Sequence, residues 1–130
     1  MQKGEFRFGY HTDKFDETCL FYTKQLRLPQ ITSWEQSEHD KGAFFDAGTG
    51  IIAVLHQPKN GDDVNPALDG RKPAGAFMAI QVWDIEQRFE DYQARGVIFK
   101  QKLTTQPWGH RSFSVIDPNG VVLFMFQEME

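Results

Sequence analysis

The sequence predicts an α+β fold built from two tandem βαβββ modules, each a strand, a helix and three further strands, which form a curved mixed sheet around a cleft. The first observation is a repeat: an alternating apolar run followed by helical spacing occurs twice, about 70 residues apart. Phe15 and Tyr22 in the first copy correspond to Ile85 and Tyr92 in the second. The second observation is a β-hairpin pattern near the end of the chain, at residues 112–126. Each copy alone is too short to close a core, so we expect the two to share one.

The first module is predicted over residues 5–57. Apolar residues alternate from Phe6 to Tyr10, which is typical of a strand with one buried face. The spacing then changes to four, three and four residues between Phe15 and Leu26, which predicts an amphipathic helix over residues 16–26. Cys19 lies on the apolar side of that helix, where a thiol is expected to fill the core rather than to react. Three strands are predicted to follow, at residues 31–34, 42–46 and 51–57.

Residues 58–75 form a predicted linker or mobile loop, since three prolines and three glycines interrupt any apolar periodicity there. The second module is predicted over residues 76–128 and opens with a strand at residues 77–83. A helix follows from Ile85, with Asp84 as its N-terminal cap and Gly96 at its left-handed end. Strands at residues 97–100, 112–116 and 121–126 complete the module.

Composition excludes several classes of function. The chain has 130 residues, a mass of 15.0 kDa, a net charge of -4 and a pI near 5.5. This charge argues against a nucleic-acid-binding protein, which needs a basic face for phosphate contacts. No apolar run is long enough to span a membrane and no N-terminal signal pattern is present, so we expect a soluble, cytoplasmic protein. The single cysteine excludes an intrachain disulfide and a cysteine-based zinc cluster.

The last two predicted strands are joined by a turn of sequence Asp-Pro-Asn-Gly at residues 117–120, in which Pro presets one φ angle and Asn-Gly tolerates positive φ. This arrangement resembles the C-terminal part of the vicinal oxygen chelate proteins, which include glyoxalase I, extradiol dioxygenases, and the fosfomycin and bleomycin resistance proteins. The resemblance extends over about residues 5–128 through the order of the modules and the Phe-Tyr-Thr-Lys segment at residues 21–24. The Pro-Trp-Gly segment around Trp108 resembles bleomycin-resistance-like members in particular.

The resemblance implies four positions for metal ligands, one on the first and one on the last strand of each module. In this chain the four positions fall at Arg7, Ala53, Phe77 and Phe124. None of these side chains is a metal donor, because a divalent cation needs His, Glu or Gln at such places. A shift of one residue at Ala53 would bring in another aliphatic side chain. We therefore predict no metal site and no cofactor, with a non-standard metal site at His11 or His110 as the alternative.

Without a metal, the cleft is predicted to be an aromatic-lined site for a small molecule. Trp108 stands out because it lies in a loop with little core to fill, and Arg7 because a guanidinium on a sheet face needs an anionic partner or water. The competing interpretation is that most of the aromatic rings simply fill the core. The predicted ligand-binding residues are Arg7, His11, Phe77, Trp83, Trp108, His110 and Phe124.

Together these patterns predict a metal-independent binding protein of the glyoxalase/bleomycin-resistance type that sequesters or carries a planar aromatic molecule. The first alternative is an enzyme, a lyase, isomerase or dioxygenase relative, that uses Arg7, His11 or His110 in place of the metal. The second is a scaffold that keeps only the fold. We also expect a homodimer, with each cleft close to or across the subunit interface, because the short sheets leave edges that pairing would cover.

Overall fold

The computed structural model describes residues 4–37, 40–57, 67–68 and 71–129. Most of the predicted linker, at residues 58–66 and 69–70, lies outside the described residues. Among the described helices, none is long and apolar enough to cross a membrane.

The first module is a four-stranded mixed sheet with one helical segment. Its strands lie in the order β1-β4-β3-β2, and β1 runs parallel to β4 while the other neighbours are antiparallel. The helix continues beyond its α-helical part as a π-helical turn, Phe21–Gln25. The remaining elements are β1 (Arg7–Thr12), α1 (Phe15–Leu20), β2 (Gln30–Ser37), β3 (Asp40–Asp46) and β4 (Ile51–His56).

The second module repeats this arrangement. Its strands lie in the order β5-β8-β7-β6, again with the first strand parallel to the last. The elements are β5 (Phe77–Gln81), α2 (Ile85–Ala94), β6 (Phe99–Thr105), β7 (His110–Ile116) and β8 (Val122–Glu128). The predicted α+β fold of two tandem βαβββ modules is therefore confirmed.

Three local predictions need correction. The first helix is α-helical only to Leu20, after which the amide of Leu26 reaches back five residues to the carbonyl of Phe21 at 3.0 Å. Asp84 stands at the N-terminus of α2 but makes no side-chain cap, because its carboxylate accepts a hydrogen bond from Arg88 at 3.0 Å instead. Strand β6 begins later than predicted, since the residues just before it close the end of α2 around Gly96, whose φ is 77°.

One buried core contains side chains from both sheets and both helical segments. Tyr10 and Val54 of the first sheet, Met125 of the second, and Tyr22 and Tyr92 of the helices belong to a single buried cluster. Along β1 and β4, the core side chains come from alternate residues, because successive side chains of a strand point to opposite faces of the sheet. The opposite face of each sheet, which carries Arg7 and Ala53 in the first module and Phe77 and Phe124 in the second, is called the open face below.

A buried carboxylate joins the modules at this core. Asp117, in the turn between β7 and β8, is 3% exposed and accepts hydrogen bonds from the hydroxyls of Tyr10 at 2.5 Å and Tyr22 at 3.0 Å. Nearby, Thr12 on β1 donates to the side-chain oxygen of Asn119 at 2.5 Å. Burial, reinforced by the negative charge of Asp117, raises the pKa of the Tyr10 hydroxyl far above its ordinary value. The modules are thus held together by polar as well as apolar contacts.

Candidate functional site

The four positions at which the resemblance predicts metal ligands are structurally equivalent in the two modules. Ala53 lies two residues beyond the β4 residue that pairs with Arg7, and Phe124 lies two residues beyond the β8 residue that pairs with Phe77. The equal offset places Ala53 and Phe124 at the same register, on the open face with Arg7 and Phe77. A cation, two phenyl rings and a methyl group do not fit a metal ion. Within the described part of the chain, no group of three or more His, Cys, Asp or Glu residues could hold one.

Arg7 already has an anionic neighbour just before its strand. Its Nε donates to Glu5 Oε1 at 2.6 Å, and both side chains are about half exposed. The guanidinium also lies over the ring of Phe44, 4.8 Å from the centroid. Such an exposed ion pair contributes only roughly 0–1 kcal/mol. An anionic ligand could therefore take the place of Glu5 at modest cost.

Four aromatic rings follow one another along the open face of the second sheet, and we call them the aromatic ladder: Trp108, His110, Phe126 and Phe124. The indole Nε1 of Trp108 donates to His110 Nδ1 at 3.0 Å. The His110 ring stacks on Phe126 with centroids 4.8 Å apart and planes at 16°, and Phe126 stacks on Phe124 at 6.0 Å. Trp108 is 63% exposed at the end of the ladder. The structure thus groups three of the predicted site residues.

Phe126 belongs to this group although it was not among the predicted site residues. The signal was present in the sequence, since Phe126 lies two residues after Phe124 and so shares its face of β8. Its backbone partner on β7 is Ser112, a fully buried hydroxyl that accepts a hydrogen bond from Gln106 at 2.8 Å. A polar pair therefore lies directly beside the ladder.

Three other predicted residues lie outside the ladder, each in a different place. Phe77 is 67% exposed and lines a small cavity of about 210 Å³ where the edge strands β1 and β5 approach each other, together with Phe6 of the first module. Trp83 follows β5 and is exposed. His11 is buried and lies on β1, two residues after Gly9 and four after Arg7, so it belongs to the first sheet and not to the ladder.

A comparison with protein families gives one match that spans most of the chain. The family model of the Glyoxalase/Bleomycin resistance protein/Dioxygenase superfamily matches residues 7–124. No curated protein sequence matches the chain.

Solved structures with the same fold are numerous but distant in sequence. TioX from Micromonospora sp. ML1 superposes with a TM-score of 0.79 at 17% identity, over 98% of this chain and 100% of that one. A glyoxalase/bleomycin resistance protein/dioxygenase from Nocardioides gives 0.72 at 20% identity, over 100% and 86% of the two chains. A lactoylglutathione lyase from Agrobacterium tumefaciens gives 0.73 at 14% identity, over 98% and 95%. Identities this low establish a shared fold and leave ligand and activity open.

Proposed function

Because the chain belongs to the glyoxalase/bleomycin resistance protein/dioxygenase superfamily, we propose that it binds a small planar aromatic molecule without a metal, in a sequestering or resistance-like role. The observation that carries this proposal is the aromatic ladder, in which His110, Phe126 and Phe124 stack along the open face of the second sheet. Rings in the interior would be expected to pack against a second layer, whereas Trp108 is 63% exposed. A planar ligand stacked on such rings gains roughly 0.5–1.5 kcal/mol per ring pair beyond the area it buries.

Arg7 supplies the polar end of the proposed site. A guanidinium donates paired hydrogen bonds to a carboxylate, phenolate or sulfonate, and hydrogen bonds to charged groups contribute roughly 1.5–3 kcal/mol. This gain exceeds the value of the exposed pair that Arg7 makes with Glu5. The ligand we propose is therefore aromatic with an anionic or carbonyl edge.

Arg7 and the aromatic ladder lie on different sheets, which leads to a proposal about assembly. We propose a homodimer in which the open face of the first sheet of one protomer and that of the second sheet of its partner enclose each cleft. The exposed rings of Phe77 and Trp83 would be covered in such a dimer. Sedimentation velocity at micromolar concentration should show a dimer, and a monomer would contradict this arrangement.

The binding test uses matched ligands and matched variants. Aromatic carboxylates and their neutral amides are titrated by calorimetry, so that removal of a tryptophan does not remove the signal. Arg7→Met should weaken a carboxylate by about ten- to a hundredfold, equivalent to roughly 1.4–2.8 kcal/mol, and weaken the amide much less, because a neutral carbonyl accepts a weaker hydrogen bond from the guanidinium. Trp108→Ala should weaken both. Glu5→Gln is the internal control: it frees Arg7 and should tighten carboxylate binding alone.

Two results would overturn the proposal. One is that no planar aromatic compound binds the wild-type protein. The other is that Trp108→Ala binds every compound as well as the wild type does while its melting curve stays unchanged. If Trp108→Ala weakens binding but Arg7→Met does not, the ladder remains the proposed binding site, and the prediction that the ligand has an anionic edge is wrong.

A lyase, isomerase or dioxygenase-like enzyme is the second candidate, and one observation favours it. His110 accepts a hydrogen bond at Nδ1 from Trp108, while its Nε2 lies 3.8 Å from a carboxylate oxygen of Glu128. With Nδ1 as the acceptor, the proton lies on Nε2 toward the carboxylate, and Nδ1 can serve as a general base once a substrate takes the place of Trp108. If the protein is an enzyme, the wild type should convert a bound ligand, and His110→Gln should abolish this turnover while binding persists. If it is a binding protein, the ligand should be recovered chemically unchanged from the wild type.

A further inference from the structure

We propose that the protein has a second small-molecule site, for a neutral and predominantly apolar ligand, between α1 and the second module. This cavity, the α1 groove, has a volume of about 620 Å³. Small-molecule sites typically enclose roughly 300–1,000 Å³. One wall is α1 with its π-helical turn, and the other is formed by the segment before β6 and the turn after β7. Its apolar lining consists of Leu20, Phe21, Ile98, Ile116 and Pro118.

Two of these apolar side chains are largely exposed to solvent. Leu20 is 55% exposed and Ile98 is 73% exposed, and they belong to different modules that meet at the groove. An apolar ligand between them would remove both from water, which is favourable in proportion to the area covered. The π-helical turn Phe21–Gln25 contributes to the same wall, and π-helical turns occur frequently at functional sites.

The internal repeat provides a comparison within the same chain. An equivalent groove of about 460 Å³ lies between α2 and the first module, against the connection after α1 and the turn after β3. Its helix wall carries charged residues, among them Arg88, Asp91 and Arg95. At the position of Leu20, 70 residues further on, α2 has Glu90, which is also exposed. The fold therefore does not require an apolar lining here, and the apolar character of the α1 groove calls for a binding partner.

The charges around the groove point to a neutral ligand. Asp117 lines its inner end, but its carboxylate already accepts hydrogen bonds from Tyr10, Tyr22 and two backbone amides of its own turn. The remaining charged side chains of the lining are Glu17 and Lys24, one acid and one base on the same helical segment. The charge of Asp117 is already stabilised by these four hydrogen bonds and that of Glu17 is offset by Lys24, so a small uncharged molecule suits the groove best.

The test uses the neutral fluorescent probe N-phenylnaphthylamine, whose emission rises in apolar surroundings. Wild-type protein should bind it saturably. Leu20→Glu places in α1 the residue that α2 has at the equivalent position, and it should weaken the probe at least about tenfold, the effect of losing roughly 1.4 kcal/mol. Ile98→Gln changes the opposite wall and should have a similar effect. Glu90→Gln, at the matched position of α2, should leave the affinity unchanged.

Several outcomes would overturn the second site. One is no saturable binding by the wild type; another is equal affinity in Leu20→Glu, Ile98→Gln and the wild type. If Trp108→Ala alone fails to bind the probe, the probe binds at the aromatic ladder. That result would support the proposed function and would show that the α1 groove is not the binding site. If sedimentation shows that Leu20→Glu converts a dimer to a monomer, a second copy of the chain covers the groove. Circular dichroism melting confirms that each variant is folded.

Discussion

Asp117→Ala is a substitution for which the structure predicts a large loss of stability. The carboxylate is 3% exposed, and its Oδ2 accepts hydrogen bonds from Tyr10 and Tyr22 at 2.5 and 3.0 Å. Its Oδ1 accepts from the backbone amides of Asn119 and Val121 at 2.8 and 3.0 Å. Alanine would remove this acceptor, and only one of the two hydroxyls could still donate to the other, which lies 3.2 Å away. Each buried donor left unsatisfied costs roughly 1–3 kcal/mol.

The sum is smaller than four independent losses, because the hydroxyls can turn and water can enter the space that the carboxylate leaves. We expect a loss of roughly 3–5 kcal/mol in the free energy of unfolding, out of a typical total of about 5–15 kcal/mol. Tyr10→Phe removes one donor and leaves Asp117 its other partners, so it should cost roughly 1–2 kcal/mol. Urea denaturation followed by circular dichroism measures both.

The first module contains a matched control. Asp46 occupies the corresponding turn, where its Oδ1 accepts a hydrogen bond from the amide of Gly48 at 2.7 Å, but its side chain is exposed. Asp46→Ala should therefore cost only about 0.5–1 kcal/mol. If Asp117→Ala destabilises the protein no more than Asp46→Ala does, the buried carboxylate does not hold the modules together and the reasoning is refuted.

Four further results are expected. Stability should fall as pH rises above about 10. Burial raises the pKa of Tyr10 and Tyr22, so the folded state holds protons that the unfolded state releases. In urea titrations across this range, Tyr10→Phe should reduce the dependence of the free energy of unfolding on pH by up to about 1.4 kcal/mol per pH unit. Burial raises the pKa of the Cys19 thiol to about 11, so iodoacetamide at neutral pH should alkylate the native protein far more slowly than the unfolded one, and equal rates would disprove this. Gly42→Ala would place Cβ 2.4 Å from Cζ2 of Trp34 and should lower stability by roughly 1–3 kcal/mol, visible in the melting temperature. Elemental analysis should find no stoichiometric zinc, nickel, iron or manganese, and a chelator should not change the melting temperature. One tightly held equivalent of any of these metals would contradict the prediction of a metal-free site.

The order of the elements follows from the sequence because each pattern depends on near neighbours. A period of two on β5 and helical spacing on α2 are both visible within about ten residues. The repeat at about 70 residues then fixes two modules, and the residue types at Arg7, Ala53, Phe77 and Phe124 exclude metal donors at the corresponding positions. None of these inferences requires knowledge of which strands pair.

Only the tertiary structure decided which distant side chains meet. The contact between Tyr10 and Asp117 spans 107 residues and depends on how one module packs against the other. The same holds for the α1 groove, whose walls come from both modules. The aromatic ladder needed the pairing of β7 with β8 to bring His110 onto Phe126. Contacts of this kind depend on strand order and module packing, which local periodicity does not encode. The local sequence patterns therefore determined the helices and strands, whereas strand pairing and module packing determined which side chains form the candidate sites.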